Sequence, residues 1–198
     1  MDDIRLEESQ DVLVQTAAVH AAQRQFAQRL RHRTVPDPLT GLPVRSLLVD
    51  RLELALAAAG PETGRLAVIC CTVDGLSALE EQQGQVVAET ARAEAAGRLV
   101  TAVRQGDVVA RISASTFVLL CQGIQDIAHA QGIAERIAGA FDAPLRPAPG
   151  VTCPARLTAG VALSGRASTP ESLITAADAA LTAVRRERQG GRHRTSEA

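Results

Sequence analysis

The sequence predicts an α+β fold, with helices packed on a central mixed sheet and one long helix preceding it. Within the domain, the predicted elements follow the order helix, strand, helix, hairpin, helix, strand, helix. Hydrophobic residues make up 46% of the 198 residues, enough for a core, and Pro36 ends a long stretch without Gly or Pro. We therefore expect an N-terminal signalling or dimerisation helix at residues 1–35, a domain at 36–194 and a tail at 195–198.

The composition excludes several classes of protein. Aromatic residues make up 2% of the chain, with no Trp or Tyr, so a stacking platform for single-stranded nucleic acid is not expected. The formal net charge of −1 argues against non-specific DNA binding. No apolar run approaches the roughly 20 residues that span a bilayer, and the acidic start is unlike a signal peptide. We expect a cytoplasmic protein that binds neither nucleic acid nor membrane.

The cysteines show no C-x-x-C spacing, so neither a zinc site nor a disulfide framework is implied. They lie in apolar or loop-like segments. We predict that all four are buried free thiols: Cys70, Cys71, Cys121 and Cys153.

The N-terminal segment has a weak helical stripe. Between residues 11 and 33, the apolar residues Val12, Val19 and Phe26 recur every seven positions. Gln and Ala dominate the stripe, so docking on the domain and parallel dimerisation remain equally open. The helix is expected to end just before Pro36, because proline disfavours helical geometry in the residue before it.

The first half of the domain contains a helix, a strand and a second helix. A turn-rich segment at residues 37–43 opens a helix that runs to Gly60. Residues 66–73 form an apolar run of strand length, typical of a central strand. An Ala-rich helix at residues 85–103 then leads to two short apolar strands that flank residues 113–116, which predicts a hairpin.

The second half is predicted to contain a helix at residues 128–141, a strand at 155–163 and a last helix at 170–188. Asp126 and Thr169 precede the two helices and are expected to act as their N-caps. The basic residues at the end of the last helix interact favourably with the helix macrodipole, so they require no binding partner to explain them.

Residues 37–45, DPLTGLPVR, resemble the opening signature of diguanylate cyclase (GGDEF) domains, in which Asn usually occupies the place of Val44. The resemblance covers roughly residues 37–194. It continues in the family's order at residues 73–76, 84, 108–111, 117–120, 158–162 and 177–181. It implies a nucleotidyl-cyclase-like fold, related to ferredoxin-like and palm domains. In this family two GTP-loaded domains meet and make cyclic di-GMP.

The resemblance places the family's two metal-binding carboxylates at Thr72 and Ser115, which are neutral hydroxyls in this chain. Magnesium prefers hard oxygen ligands, above all carboxylates. The nearest replacement is Asp74, about 6.6 Å further along the strand. We therefore predict no metal, no cofactor and no enzymatic activity.

Other positions of the family's active site also differ. Glu80 stands where the family usually has a base-contacting Asn, and Glu89 where it has Asp. The hairpin glycines are replaced by larger residues, which narrows the approach of a nucleotide to the backbone. The resemblance thus implies a degenerate active site at Thr72, Glu80, Glu89, Ser113, Ala114, Ser115 and Thr116.

One family site is better preserved. Arg104 and Asp107 match the family's Arg-x-x-Asp inhibitory site, and Arg136 resembles its second arginine. Arginine can donate two parallel hydrogen bonds to guanine O6 and N7, and a carboxylate accepts from guanine N1 and N2, which suits cyclic di-GMP. The alternative is that Asp107 caps a turn and Arg104 is a solvated surface residue.

Three functions follow as hypotheses. The first is a catalytically inactive domain that acts as a cyclic di-GMP receptor through Arg104, Asp107 and Arg136, signalling through the N-terminal helix. The second is a nucleotide-independent module that forms a homodimer or holds a protein partner through that helix. The third is an active diguanylate cyclase, which would have to bind metal without carboxylates at Thr72 or Ser115.

Overall fold

The computed structural model describes residues 35–59 and 65–195. The predicted N-terminal helix, its role in dimerisation, and the last three residues of the predicted tail lie outside the described residues. The division of the chain at residue 36 therefore stays a prediction. In the described ranges, no helix is long and apolar enough to cross a membrane.

The described chain forms five helices and six strands. In order, they are α1 Arg45–Ala58, β1 Arg65–Asp74, α2 Leu76–Gln83, α3 Gln85–Ala102, β2 Val108–Arg111, β3 Thr116–Ile124, α4 Ile127–Gly139, β4 Leu145–Ala148, β5 Val151–Cys153, β6 Arg156–Leu163 and α5 Pro170–Thr195.

Four of the strands form the central sheet, in the order β2-β3-β1-β6. Each pair of neighbours is antiparallel, so the α+β class is confirmed while the prediction of a mixed sheet is wrong in strand direction. The helical connections lead from β1 to β2 and from β3 to β6. β1 and β2 run parallel but have β3 between them, and β3 and β6 run parallel but have β1 between them. All hydrogen-bonded neighbours are therefore antiparallel.

β1 is the buried centre of the fold, as predicted, with only its two end residues exposed. One face of the strand, which includes Ile69 and Cys71, packs against α2, α3 and α4. The opposite face, which includes Val68 and Cys70, packs against α1 and α5. Since helices cover both faces, the strand is a continuous apolar run rather than an alternating one.

Close packing of α5 on β6 depends on Gly160. A Cβ added at this glycine would lie 2.0 Å from the backbone nitrogen of Leu181 and 2.5 Å from the carbonyl oxygen of Ala177. The helix backbone therefore lies directly on the strand. This contact brings the arginines of the second half of α5 to the end of β6 where the strand begins.

Two predicted N-caps are confirmed. Asp126 Oδ1 accepts from the backbone nitrogen of His129 at 2.8 Å, and Thr169 Oγ1 accepts from that of Ser172 at 3.2 Å. Two features were missed. The helix α2 has only eight residues, and the β4–β5 hairpin contains two prolines, which obscure a strand pattern.

Candidate functional site

The two predicted metal positions lie together at the end of β1. Thr72 pairs with Thr116 of β3 on one side and with Thr158 of β6 on the other. The backbone nitrogen of Val73 donates to the carbonyl oxygen of Ser115 at 3.2 Å. The fold thus places the hairpin loop beside the strand end. We call Thr72, Ser115, Thr116, Thr158 and Asp74 the strand-end site.

Hydroxyl groups form the interior of the strand-end site. Thr72 and Thr158 are 6% and 1% exposed, and Thr72 Oγ1 is buried without a hydrogen-bond partner in the described part of the chain. Thr158 Oγ1 donates to Asp74 Oδ2 at 3.3 Å and accepts from Arg188 Nη1 at 2.7 Å. Arg185 Nη2 lies 3.9 Å from Asp74 Oδ1.

The oxygen atoms of the strand-end site do not fit a magnesium ion. Magnesium takes octahedral oxygen coordination and is held by carboxylates together with phosphates and water. At this strand end both oxygens of Asp74 already face Thr158 or Arg185. Among the described residues, no three His, Cys, Asp or Glu side chains are grouped as a metal site.

The hairpin loop is exposed at its tip and tied at its base. The backbone nitrogens of Ile112 and Ser113 both donate to the carbonyl oxygen of Thr116, at 2.9 and 3.3 Å. Ser113 and Ala114 are exposed. Arg111 Nε donates to the carbonyl oxygen of Ser113 at 3.1 Å, which fixes the start of the loop.

Glu80 and Glu89 each have a partner within the chain. Glu80 Oε2 accepts a hydrogen bond from Arg92 Nη2 of α3, and Glu89 Oε1 accepts from Gln85 Nε2 at 2.8 Å. The side chain of Arg92 is only 9% exposed, and its Nε is buried without a partner in the described residues.

Arg92 was not predicted to be important, although its position in the sequence carries a signal. The buried positions of α3 recur with helical spacing, and Arg92 is the charged residue among them: Ala88, Ala91, Arg92, Ala95, Ala96 and Leu99. An arginine on a buried helix face requires a partner. The acidic residue twelve positions earlier was available for that role.

The second candidate site is the turn at residues 104–107, which we call the Arg104 turn. The side chain of Asp107 is 1% exposed, whereas that of Arg104 is 50% exposed. Asp107 Oδ1 accepts from Arg104 Nε and from the backbone nitrogen of Gln122, both at 3.4 Å. Asp107 Oδ2 is buried and has no partner of suitable geometry within the described ranges.

Arg136 lies next to this turn. Its Nε donates to the carbonyl oxygen of Ala102, at the end of α3, at 3.4 Å. Burial, reinforced by Asp107, raises the pKa of the nearby Cys121 thiol to about 12, while Arg104 and Arg136 oppose the shift. All three residues of the predicted ligand site thus act electrostatically on one buried thiol. Arg104 and Asp107 contact each other directly, whereas Arg136 lies near their turn through its hydrogen bond to Ala102.

Comparisons with known proteins agree with this fold. The family described as "Diguanylate cyclase, GGDEF domain" matches residues 34–191. Diguanylate cyclase TpbB of Pseudomonas aeruginosa is 32% identical over 164 residues, which cover 82% of this chain and 38% of TpbB. The chain thus spans about two fifths of that relative's length.

Solved structures show the same likeness. The GGDEF domain of TpbB has a TM-score of 0.72 and 32% identity, with 77% of this chain and 89% of that chain covered. The GGDEF domain of DgcB from Caulobacter crescentus, described in complex with cyclic di-GMP, has a TM-score of 0.70. At 18% identity, with 78% and 91% of the two chains covered, the likeness to DgcB concerns the fold alone.

The prediction that the chain is not an enzyme is wrong. It rested on the side chains at positions 72 and 115, whereas the match extends over residues 34–191 and the relatives are named diguanylate cyclases, an enzyme class. Two substituted positions alter the local donor set. They do not set the class of the whole domain.

Proposed function

The chain belongs to the GGDEF family of diguanylate cyclase domains, and from this premise we propose that it binds cyclic di-GMP at Arg104, Asp107 and Arg136. In this proposal, the domain is a cyclic di-GMP receptor within a signalling protein. Occupancy of the site is transmitted through the N-terminal segment at residues 1–35, where the sequence predicts a helix, and the protein acts as a homodimer.

The state of Asp107 is the observation that supports this proposal most strongly. Its Oδ2 is buried and accepts no hydrogen bond of good geometry in the described part of the chain, and its nearest donor is the weak one of the Cys121 thiol. A buried polar atom without a hydrogen bond is unfavourable, typically by about 1–3 kcal/mol. The N1 and N2 donors of a guanine base would satisfy it. Arg104 contacts the carboxylate with its Nε and the Gln122 carbonyl oxygen with its Nη2, and because its side chain is half exposed, a ligand that arrives from solvent can replace these partners.

The two arginines supply the complementary charge. Cyclic di-GMP carries two phosphodiester charges, and its guanine bases present acceptors at O6 and N7, which arginine donates to in pairs. Arg136 uses only its Nε toward Ala102. Its Nη atoms make no hydrogen bond within the described ranges, so they are free to donate to a phosphate or a base.

Calorimetry with cyclic di-GMP tests the proposal at fixed salt concentration. We expect the unmodified protein to bind and the Arg104→Ala variant to bind at least about tenfold more weakly, because a charged hydrogen bond contributes about 1.5–3 kcal/mol. Arg146→Ala is the matched control, since Arg146 is exposed and only its backbone nitrogen forms a hydrogen bond in the described residues.

Other outcomes would overturn the proposal. The absence of heat with the unmodified protein contradicts the receptor and leaves two alternatives, the nucleotide-independent interaction module and a diguanylate cyclase without this binding site. If Arg104→Ala and Arg146→Ala weaken binding equally, the assignment of the binding site to Arg104 is wrong. The family's activity is measured directly by incubating the protein with GTP and magnesium and detecting cyclic di-GMP by chromatography.

A further inference from the structure

Gln122, near the end of β3, contacts the Arg104 turn at three points. Its backbone nitrogen donates to Asp107 Oδ1 at 3.4 Å, and its carbonyl oxygen accepts from Arg104 Nη2. Its side-chain Nε2 donates to the carbonyl oxygen of Gly106 at 3.4 Å. These contacts reach the first, third and fourth residues of the turn.

The backbone at this point is shaped to make these contacts. Gly123 follows with a φ of +59°, in the left-handed region that L side chains rarely adopt. A Cβ at this position would lie 3.7 Å from Arg104 Nη2. Gln122 and Gly123 are both exposed, unlike the buried residues before them in β3. Core packing therefore does not account for a glutamine here.

We propose that Gln122 is a positioning residue of the cyclic di-GMP site, an inference that rests on the proposed function. Its amide holds the Gly106 peptide, which sets the spacing of Arg104 and Asp107. Its carbonyl oxygen holds Arg104 beside Asp107 until the ligand arrives. A guanine acceptor then replaces that carbonyl as the partner of Arg104. A turn already held in place has less conformational freedom to lose on binding.

The test compares two variants that keep the length of the side chain and remove its amide donor, Gln122→Met and Gln122→Glu. We expect Gln122→Met to weaken cyclic di-GMP binding about fivefold in calorimetry, the effect of one ordinary hydrogen bond, and Gln122→Glu to weaken it more, because the added carboxylate also repels the anionic ligand. Gln131→Met is the matched control, because Gln131 is exposed on α4 and lies outside the Arg104 turn. It should bind as the unmodified protein does.

A second measurement separates positioning from general stability. The Nε–H signal of Arg104 in the NMR spectrum of the ligand-free protein, assigned from its loss in Arg104→Lys, should shift in both Gln122 variants but not in Gln131→Met. The melting temperature should stay unchanged, because Gln122 is exposed.

The results distinguish this inference from the proposed function. If the unmodified protein binds and both Gln122 variants stay within about twofold of it, the inference is overturned and the receptor stands. Weakened binding with a lower melting temperature and an unmoved Arg104 signal also overturns it. If the unmodified protein does not bind, the proposed function fails and the inference fails with it.

Discussion

Arg111 Nη1 donates to both carboxylate oxygens of Asp37, at 2.8 and 2.9 Å, across 74 positions of sequence. The two side chains are 12% and 18% exposed. Thr40 adds two hydrogen bonds to the same carboxylate, from its backbone nitrogen at 2.8 Å and from its Oγ1 at 2.7 Å. The turn before α1 is thereby fastened to the end of β2, beside the hairpin.

Asp37→Asn should destabilise the domain by about 2 kcal/mol at pH 7, because a largely buried charge pair loses one partner. Burial alone would raise the pKa of Asp37, but hydrogen bonds from Thr40 and Arg111 outweigh it and hold that pKa below 3.8. The contribution is therefore fully present above pH 3.8 and is lost as the pH falls through the folded-state pKa. Urea unfolding of both proteins between pH 3 and 7 measures it.

The control for Asp37 is Glu171→Gln, which removes an exposed ion pair with Arg45. Exposed pairs contribute little, so we expect a loss below about 0.5 kcal/mol. Equal losses in the two variants would show that the burial of the Asp37 pair has no special importance.

Gly160→Ala should destabilise the domain by about 3 kcal/mol or more, because the new methyl group meets the backbone of α5 and not a movable side chain. Gly97→Ala in α3 is the control, since nothing lies within 4 Å of its added Cβ. It should stabilise the protein by about 0.5–1 kcal/mol through helix propensity. Chemical denaturation measures both, and a tolerated Gly160→Ala would contradict the close contact of α5 with β6.

Glu80→Gln should destabilise the domain by about 2 kcal/mol, less than for a fully buried pair because Glu80 is 42% exposed. The loss arises because Arg92 stays buried without its counter-charge. Arg92→Met should cost less than about 1 kcal/mol, and the double variant should resemble it. Purely additive effects in this double-mutant cycle would show that the two residues are not coupled.

The four cysteines should resist thiol reagents until the protein unfolds. All are buried and free, and burial raises the pKa of Cys70 and of Cys121 to about 12. Because the folded state disfavours the thiolates, stability should be full below about pH 9, the ordinary value, and fall as the pH rises above it. Labelling with and without denaturant tests this, and a fast-reacting thiol in the native protein would contradict it.

The sequence was most informative where the signal is local. The apolar run of β1 and the caps Asp126 and Thr169 depend on a few neighbouring residues, and all three are confirmed. The strand directions depend on which strands become neighbours, which no local pattern encodes. The pairing of Asp37 with Arg111 is similarly non-local.

In the candidate site, too, the local features could be predicted from the sequence and the non-local ones could not. The Arg104 turn is recognisable as a short motif, and the fold places Arg136 near it, hydrogen-bonded to Ala102 at the end of α3. The contribution of Gln122 depends on the path of β3 beside the turn, which the motif does not contain. Inference from Thr72 and Ser115 to the class of the protein failed, because side chains at two positions describe a local donor set and not the activity of a domain.

Carboxylates at positions 72 and 115 should create a divalent-cation site, because Thr72 Oγ1 is buried and unpartnered in the described chain and Ser115 contacts the adjacent residue Val73. Without metal, the Thr72→Asp, Ser115→Asp variant should be less stable, since a buried carboxylate lacks solvation. Manganese at 100 times its dissociation constant should then restore about 2.7 kcal/mol. Thermal unfolding with manganese or with a chelator measures this difference.

Thr72→Asp combined with Ser113→Asp is the control, because Ser113 lies on the exposed part of the hairpin loop. The same manganese shift in both variants would contradict a site built from positions 72 and 115, since charge near the strand end would then be sufficient.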